Sequence, residues 1–185
     1  FEYSRIAALA LHGGYSVLSG GLAQTMGNSA TFDMTFNYFM YTQNAIVLSA
    51  GLAFANLNVA GTQSYAGLDG KLYNNQPLQY VGTVNMYRFA VGYRYYLGHP
   101  AYPNIFSFLG LNVELAGGML LRFERYTIIQ NGPQHGGLLH FGDTSPIVAL
   151  TTGMEFPFLL EDLFFGLRVG YQLALLSDEG DKGFV

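Results

Sequence analysis

The sequence predicts an all-β chain, and more narrowly a transmembrane antiparallel up-and-down β-barrel. Bulky apolar residues alternate with small or polar ones at a period of two along seven segments, which is the pattern of strands. Only 11% of the residues are charged, against roughly 25% in an average soluble domain, although 50% are hydrophobic. The charges inside the seven segments fall on the face of the small residues. The bulky face, being free of charge, is the one predicted to meet lipid.

The seven predicted strands share one design, a bulky apolar face and a face of glycine, alanine and polar residues. They are residues 6–19, 31–41, 44–56, 81–97, 106–123, 147–158 and 165–175. The fourth illustrates the design: Phe89 and Val91 lie on the bulky face, whereas Arg88, Gly92 and Arg94 lie on the other. No segment of 18 or more apolar residues predicts a membrane-spanning helix.

The predicted connections alternate in length. Short links are expected at residues 42–43, 98–104 and 159–162, and long loops at residues 20–30, 61–79 and 124–145. The long loops are rich in Gly, Asn, Gln and Thr, as solvated loops are. The pattern predicts a single domain, residues 1–185, with short turns at one end and long loops at the other.

The candidate site is a set of charged residues on the predicted inner face, where narrow space admits only a few long polar side chains. Four are basic and four acidic: Asp33, Arg88, Arg94, Glu114, Arg122, Glu124, Glu155 and Arg168. Because a buried unpaired charge is very costly, we expect them to neutralise one another as a structural ladder that plugs the lumen. Arg88 and Arg94 are expected to lie beside Glu114, with Glu155 and Arg168 further round the lumen, and Arg88 is expected to couple with Glu114. The alternative is an ion- or proton-conducting polar track.

Aromatic residues cluster near the predicted short turns, as an interfacial girdle requires. They are Tyr38, Tyr41, Tyr93, Tyr95, Tyr96, Tyr102, Phe106, Phe156, Phe158, Phe164 and Phe165. An open sheet edge in hydrocarbon would leave backbone N–H and C=O groups unpaired, so the sheet is expected to close into a barrel.

Three segments, LSAGLAFANL (48–57), FAVGYRYYLG (89–98) and FFGLRVGYQLALL (164–176), resemble the small outer-membrane β-barrels of the OmpA, OmpX and OmpW type. The resemblance implies an eight-stranded barrel in the outer membrane of a Gram-negative bacterium, surrounded by lipid and lipopolysaccharide, with short turns in the periplasm and long loops outside the cell. Residues 177–185 read as a further loop, so the eighth strand is expected beyond Val185. A partner chain pairing with the open edge is the lesser alternative.

An enzymatic interpretation rests on His12 and Ser16, which with Glu114 or Glu155 would supply the residue types of a hydrolase triad. Both residues fall on the predicted inner face, away from lipid substrates. We therefore expect no catalytic residues.

Metal and cofactor sites are not expected either. His135, His140 and Asp143 could coordinate a metal, but on a Gly-rich segment they are predicted to be plain loop residues. The acidic residues at 178, 179 and 181 resemble the start of a calcium loop without its downstream glutamate.

Composition limits the classes of partner that the chain is expected to bind. The net charge is −4 and no block of Lys or Arg offers a footprint for nucleic acid. Cysteine is absent, which excludes disulfides and thiolate sites. The predicted function is a structural or binding component of the cell envelope, acting through surface loops in adhesion or through the barrel wall. A narrow porin-like channel, a subunit of a larger outer-membrane complex, a lipid-modifying enzyme and a soluble lipid-binding barrel remain open.

Overall fold

The computed structural model describes residues 6–19, 26–41, 43–66, 72–98, 109–130, 139–158 and 160–175. These residues form seven strands, which confirms the all-β class and the strand count. The strands are β1 (Ala7–Ser16), β2 (Ser29–Tyr41), β3 (Asn44–Ala66), β4 (Leu72–Tyr96), β5 (Asn112–Gln130), β6 (Leu139–Phe158) and β7 (Leu160–Ala174). Within the same ranges, no helix has the length and apolar character needed to cross a membrane.

The strands form one antiparallel sheet in the order β1 to β7, the up-and-down topology that the sequence predicts. Every ladder joins strands that are neighbours in the chain, and none in the described part joins β1 to β7. The sheet is curled into a half-barrel: the Arg88 side chain on β4 donates a hydrogen bond to that of Gln172 on β7, at 3.3 Å. In a flat sheet two positions three strands apart would be separated by roughly 14 Å.

The two faces of the sheet differ in kind. The face that carries the Arg88–Gln172 bond is concave, and we call it the inner face; the opposite face is the outer face. Small and medium apolar side chains pack together on the inner side: Leu18, Met26, Ala55, Leu57, Val84, Met86, Ala90, Ala116, Leu120, Ile147, Ala149 and Ala174. The outer face carries large apolar side chains that remain exposed, up to 79% for Leu11 and 75% for Val169. The hydrophobic side chains of this chain therefore lie largely outside its own core.

Two predicted loops are shorter than expected. The loop predicted at 61–79 is mostly strand, since β3 continues to Ala66 and β4 begins at Leu72. The loop predicted at 124–145 is also shorter, because β5 extends to Gln130 and β6 begins at Leu139. Backbone hydrogen bonds between strands form whatever the polarity of the side chains. A hairpin with polar side chains therefore has the composition of a loop, and composition alone does not distinguish the two.

One predicted strand begins later than expected. Residues 106–123 were expected to be strand, but β5 starts at Asn112 and Leu109 lies in a turn. The carbonyl of Leu109 accepts a hydrogen bond from the Glu155 amide at 3.0 Å, and that of Leu111 accepts one from the Leu97 amide at 2.8 Å. The connection between β4 and β5 is therefore longer than the predicted link.

Candidate functional site

A buried network of charged groups lies on the inner face near the short turns. Its centre is Arg94, which is 0% exposed. Its Nε and Nη2 donate to Oε2 of Glu114 at 3.0 and 2.8 Å, and its Nη1 donates to Oε1 of Glu155 at 2.7 Å. The Tyr96 hydroxyl accepts from Arg94 Nη1 at 3.3 Å and donates to Oε2 of Glu155 at 3.0 Å. Arg168 also donates to Glu114. We call these five residues the turn-side network.

Strand register explains how the turn-side network assembles. Arg94 on β4 and Glu114 on β5 are directly opposed, so they meet without any distortion of the sheet. Glu155 on β6 and Arg168 on β7 complete it because the sheet curls toward them. Two arginines and two carboxylates sum to zero charge. Each charge has an opposite partner, as burial demands.

A second ion pair lies closer to the middle of the strands. Arg88 Nη2 contacts Oδ1 of Asp33 at 2.6 Å, with side chains 28% and 22% exposed. Asp33, Gly51 and Arg88 are successive partners across β2, β3 and β4. A Cβ at position 51 would lie 2.0 Å from Oδ1 of Asp33. The pair can therefore reach across β3 only because a glycine lies beneath it.

A third charged group lies toward the long loops. Arg122 contacts Oε1 of Glu124 at 3.3 Å through Nε and Oδ2 of Asp143 at 3.7 Å through Nη2. Asp143 also accepts a hydrogen bond from the Thr144 amide at 2.7 Å. Asp143, expected in a loop, is thus an inner-face residue of β6.

An apolar cluster fills the inner side at the same end. It consists of Leu18, Met26, Ala55, Leu57, Val84 and Met86, and we call it the loop-side cluster. Met26 forms a β-bridge with Leu57, while the adjacent Gly27 amide donates to the Asn56 carbonyl at 2.9 Å. The residues just before β2 therefore continue its antiparallel pairing with β3. Sequence reasoning missed this cluster because it expected only small or polar residues inside.

The structure places all eight predicted ladder residues on the inner face. It brings together Arg94, Glu114, Glu155 and Arg168, joins Asp33 to Arg88, and joins Arg122 to Glu124. The predicted coupling of Arg88 with Glu114 is wrong. Arg88 lies six residues before Arg94 on β4, roughly 20 Å along the strand, and Glu114 is opposite Arg94. Sequence parity gives the face of the sheet on which a residue lies but not which residues of other strands lie level with it.

The aromatic girdle needs one correction. Tyr38, Tyr41, Tyr93 and Tyr95 are exposed on the outer side near the short turns, as expected, but Tyr96 is 1% exposed and belongs to the turn-side network. Tyr96 follows Tyr95 directly, so the two side chains point to opposite faces. Tyr102 and Phe106 lie outside the described residues, as do the side chains of Phe158 and Phe164.

The structure also shows where some residues of the two alternative sites, the hydrolase triad and the metal site, lie. Nε2 of His12 lies 3.1 Å from the Thr35 hydroxyl, and Ser16 is four residues away on the same strand, roughly 13 Å along it. In the described part of the chain, no three His, Cys, Asp or Glu side chains are grouped so that they could hold a metal ion. His135, the side chain of His140 and the acidic tail at 178–181 lie outside that part.

Some buried polar atoms on the inner side have no hydrogen-bond partner among the described residues. Both polar atoms of the Asn37 amide are in this state, as are the Ser29 hydroxyl and Oδ1 of Asn112. Buried polar groups without a protein partner are commonly satisfied by ordered water. These positions are where internal water is expected.

Comparison of the chain with protein-family models, with curated proteins and with solved structures found no match.

Proposed function

We propose that this chain is an outer-membrane β-barrel protein of a bacterial cell envelope, with a plugged lumen, acting as a structural or binding component rather than as an enzyme. One observation carries the proposal: the two faces of the sheet are inverted relative to a water-soluble protein. Charges lie on the concave inner face in ion pairs, and large apolar side chains lie exposed on the convex outer face.

The inversion favours lipid as the surrounding solvent. A soluble monomer rarely exposes a contiguous apolar patch larger than a few hundred Å². Here exposed apolar side chains occupy the outer face of all seven strands, among them Leu9, Phe36, Leu48, Val91 and Leu115. Water would penalise that surface, whereas acyl chains would not.

Closure follows from the same environment. β1 and β7 are the end strands of the sheet, and hydrocarbon cannot satisfy their unpaired backbone groups. We propose one further strand between them, giving the even count of bacterial single-chain barrels.

The interior supports a plug. The turn-side network occupies one end of the inner face with buried, mutually neutralised groups, and the loop-side cluster occupies the other with apolar side chains. Function then belongs to the surfaces that remain, which are the long β3–β4 and β5–β6 hairpins and the barrel wall. Their proposed partners are outer-membrane lipid, lipopolysaccharide and a protein of an envelope complex.

A pair of lysine substitutions on β4 tests the membrane environment. Val91 is 58% exposed near the middle of the outer face, and Thr83 is an exposed polar residue on the same face nearer the loops. In a bilayer, Val91→Lys should cost about 2–4 kcal/mol of unfolding free energy and Thr83→Lys about 0–1 kcal/mol. Urea unfolding in phospholipid vesicles gives both values. Equal and negligible costs would contradict the proposal, because an exposed Val in water tolerates lysine.

A second candidate is a narrow polar track through the lumen. The unpartnered amide of Asn37, which is 0% exposed, together with the Ser29 hydroxyl, favours internal water. Single-channel conductance in planar bilayers separates the two functions. The plug predicts no conductance, whereas a track predicts small steady currents that increase when Arg94 is replaced by leucine.

A further inference from the structure

The exposed apolar side chains of the outer face form a continuous belt of nearly constant width. Among the side chains that the structure describes, the outward-facing apolar residues of β1 to β7 run, in order, over positions 9–17, 32–40, 46–54, 87–97, 113–123, 146–156 and 165–175. We call these positions the apolar belt. Each run covers nine to eleven residues, which is about the length that a tilted strand needs to cross hydrocarbon.

Polar residues follow the belt directly on the side of the long loops. The next outward-facing positions are Asn56 on β3, Arg125 on β5 and Thr144 on β6. On β4 the sequence passes from Tyr87 through Asn85 to the exposed Thr83. The belt therefore has a sharp edge on four adjacent strands.

The belt runs obliquely to the hydrogen-bonded rows of the sheet. One row passes through Gly13, Phe32, Leu52, Tyr87, Leu121 and Thr144. Gly13 is at the centre of the belt on β1, but Thr144 is two residues beyond its edge on β6. Residues that share one hydrogen-bonded row therefore lie at different positions across the width of the apolar belt.

A second hydrogen-bonded row, near the short turns, starts outside the apolar belt and ends inside it. It passes through Asn44, Tyr95, Val113, Thr152 and Val169. Asn44 is two residues outside the belt on β3, whereas Val169 is one residue from its centre on β7. Both edges of the belt therefore shift in the same direction across the sheet.

The size of the shift gives a strand tilt. Averaged over β1 to β7, the belt centre moves toward the short turns by about one residue per strand, that is about 3.3 Å along a strand for each step of about 4.8 Å between strands. A flat slab cut across strands tilted by about 35° gives this shift. Eight to ten residue steps at that tilt span about 22–27 Å, a range that includes the height of about 25 Å of the apolar band of outer-membrane barrels.

We infer that a lipid bilayer crosses the sheet obliquely to its ladder rows, with the strands tilted by about 35° from the bilayer normal. Its loop-side boundary passes just beyond Phe54, Tyr87 and Phe123, with Asn56 and Arg125 among the lipid headgroups. This inference rests on the proposed membrane function and adds the depth of each residue to it. A stagger of about one residue per strand is also that of an eight-stranded barrel whose interior is filled by side chains.

Four single-cysteine variants test the inference. The natural chain has no cysteine, so each variant takes one label. Gly13→Cys and Thr144→Cys share one row, and Asn44→Cys and Val169→Cys share the other. A Cβ at position 13 would have no atom within 4 Å, which makes this site suitable for a spin label. Depth is measured in phosphatidylcholine vesicles from collisions with oxygen and with a water-soluble nickel chelate.

Gly13 and Val169 should be deep, and Thr144 and Asn44 should be shallow. The expected differences are roughly 14 Å in the first pair and roughly 11 Å in the second, from the strand spacing and the tilt. Equal depth within both pairs would overturn the oblique crossing and leave the proposed membrane function intact. If all four labels were reached by the nickel chelate in vesicles as fully as in water, the inference and the proposed function would both fail.

Discussion

The two ends of the inner face are filled by different kinds of side chain, charged near the short turns and mostly apolar near the long loops. Near the short turns, a network of charged side chains is almost completely buried, with Arg94 at 0% and Glu114 at 5% exposure. Near the long loops, the loop-side cluster of apolar side chains fills most of the corresponding space, with Val84 at 0% exposure, beside the charged group of Arg122, Glu124 and Asp143. Between them lies the partly exposed pair of Asp33 and Arg88.

The comparison teaches that burial in this sheet does not follow polarity. The turn-side network is stable only as a set, because each charge removed from water relies on its partner. The loop-side cluster is stabilised by each apolar side chain in proportion to the area that it buries. The two ends should therefore respond to substitution in different ways.

The largest effect should come from breaking the turn-side network. Replacing Arg94 with leucine leaves Glu155 with the Tyr96 hydroxyl and removes two bonds from Glu114. Loss of one partner from a buried ion network costs about 3–5 kcal/mol. Urea unfolding in detergent micelles measures the loss. Arg88→Leu is the matched control in a more exposed pair, and an equal loss in both variants would refute the distinction.

A smaller loss is expected in the loop-side cluster. Leu57 is 5% exposed against Met26 and its neighbours, so Leu57→Ala should lower the unfolding free energy by about 2–3 kcal/mol. Leu48, 49% exposed on the outer face of the same strand, is the control. In detergent micelles Leu48→Ala should cost less than half as much. A larger cost for Leu48 would mean that the cluster is not part of the folded core.

The third-largest effect on the unfolding free energy should come from filling the space above Gly51. Gly51→Ala places a Cβ 2.0 Å from Oδ1 of Asp33 and so forces the ion pair with Arg88 to move. We expect a loss of about 1–2 kcal/mol, typical of modest overpacking. The loss should shrink when Asp33 is also replaced by alanine. Gly13→Ala is the control, because no atom lies within 4 Å of its Cβ.

The smallest effect should be the coupling between Asp33 and Arg88. Both side chains are more than a fifth exposed, so a double-mutant cycle should give about 0.5–1 kcal/mol, reduced further in 1 M salt. The same cycle for Arg94 and Glu114 should give a larger coupling that salt hardly changes. Identical salt dependence in both cycles would contradict the difference in burial between the two ion pairs.

Much of this architecture could be predicted from residue parity. The alternation of bulky and small residues identifies all seven strands, and the parity of Arg88 and Arg94 gives their face correctly. Parity failed where the pattern changes partway along a strand. After Phe54 the outer position becomes Asn56 and the inner position becomes Leu57, so a strand that continues has the composition of a loop.

The pairing within the candidate site could not be predicted in the same way. Asp33 and Arg88 meet across a third strand, which requires the register of two ladders and a glycine between them. Tyr96 joins Glu155 because β4 and β6 approach as the sheet curls. Register and curvature are properties of the whole sheet, and a single strand does not carry them. The position of Asp143 could have been found by extending the alternation of β6 backward through Ser145.

The nearest-neighbour topology has a consequence for folding. Because each ladder in the described chain joins consecutive strands, the sheet can grow one hairpin at a time without a long loop closure. β1 and β7 are the end strands of the sheet, and each keeps one backbone edge that no ladder in the described chain pairs. Those edges can add strands from other molecules. The edges of β1 and β7 are therefore the part of the described sheet that is most exposed to aggregation.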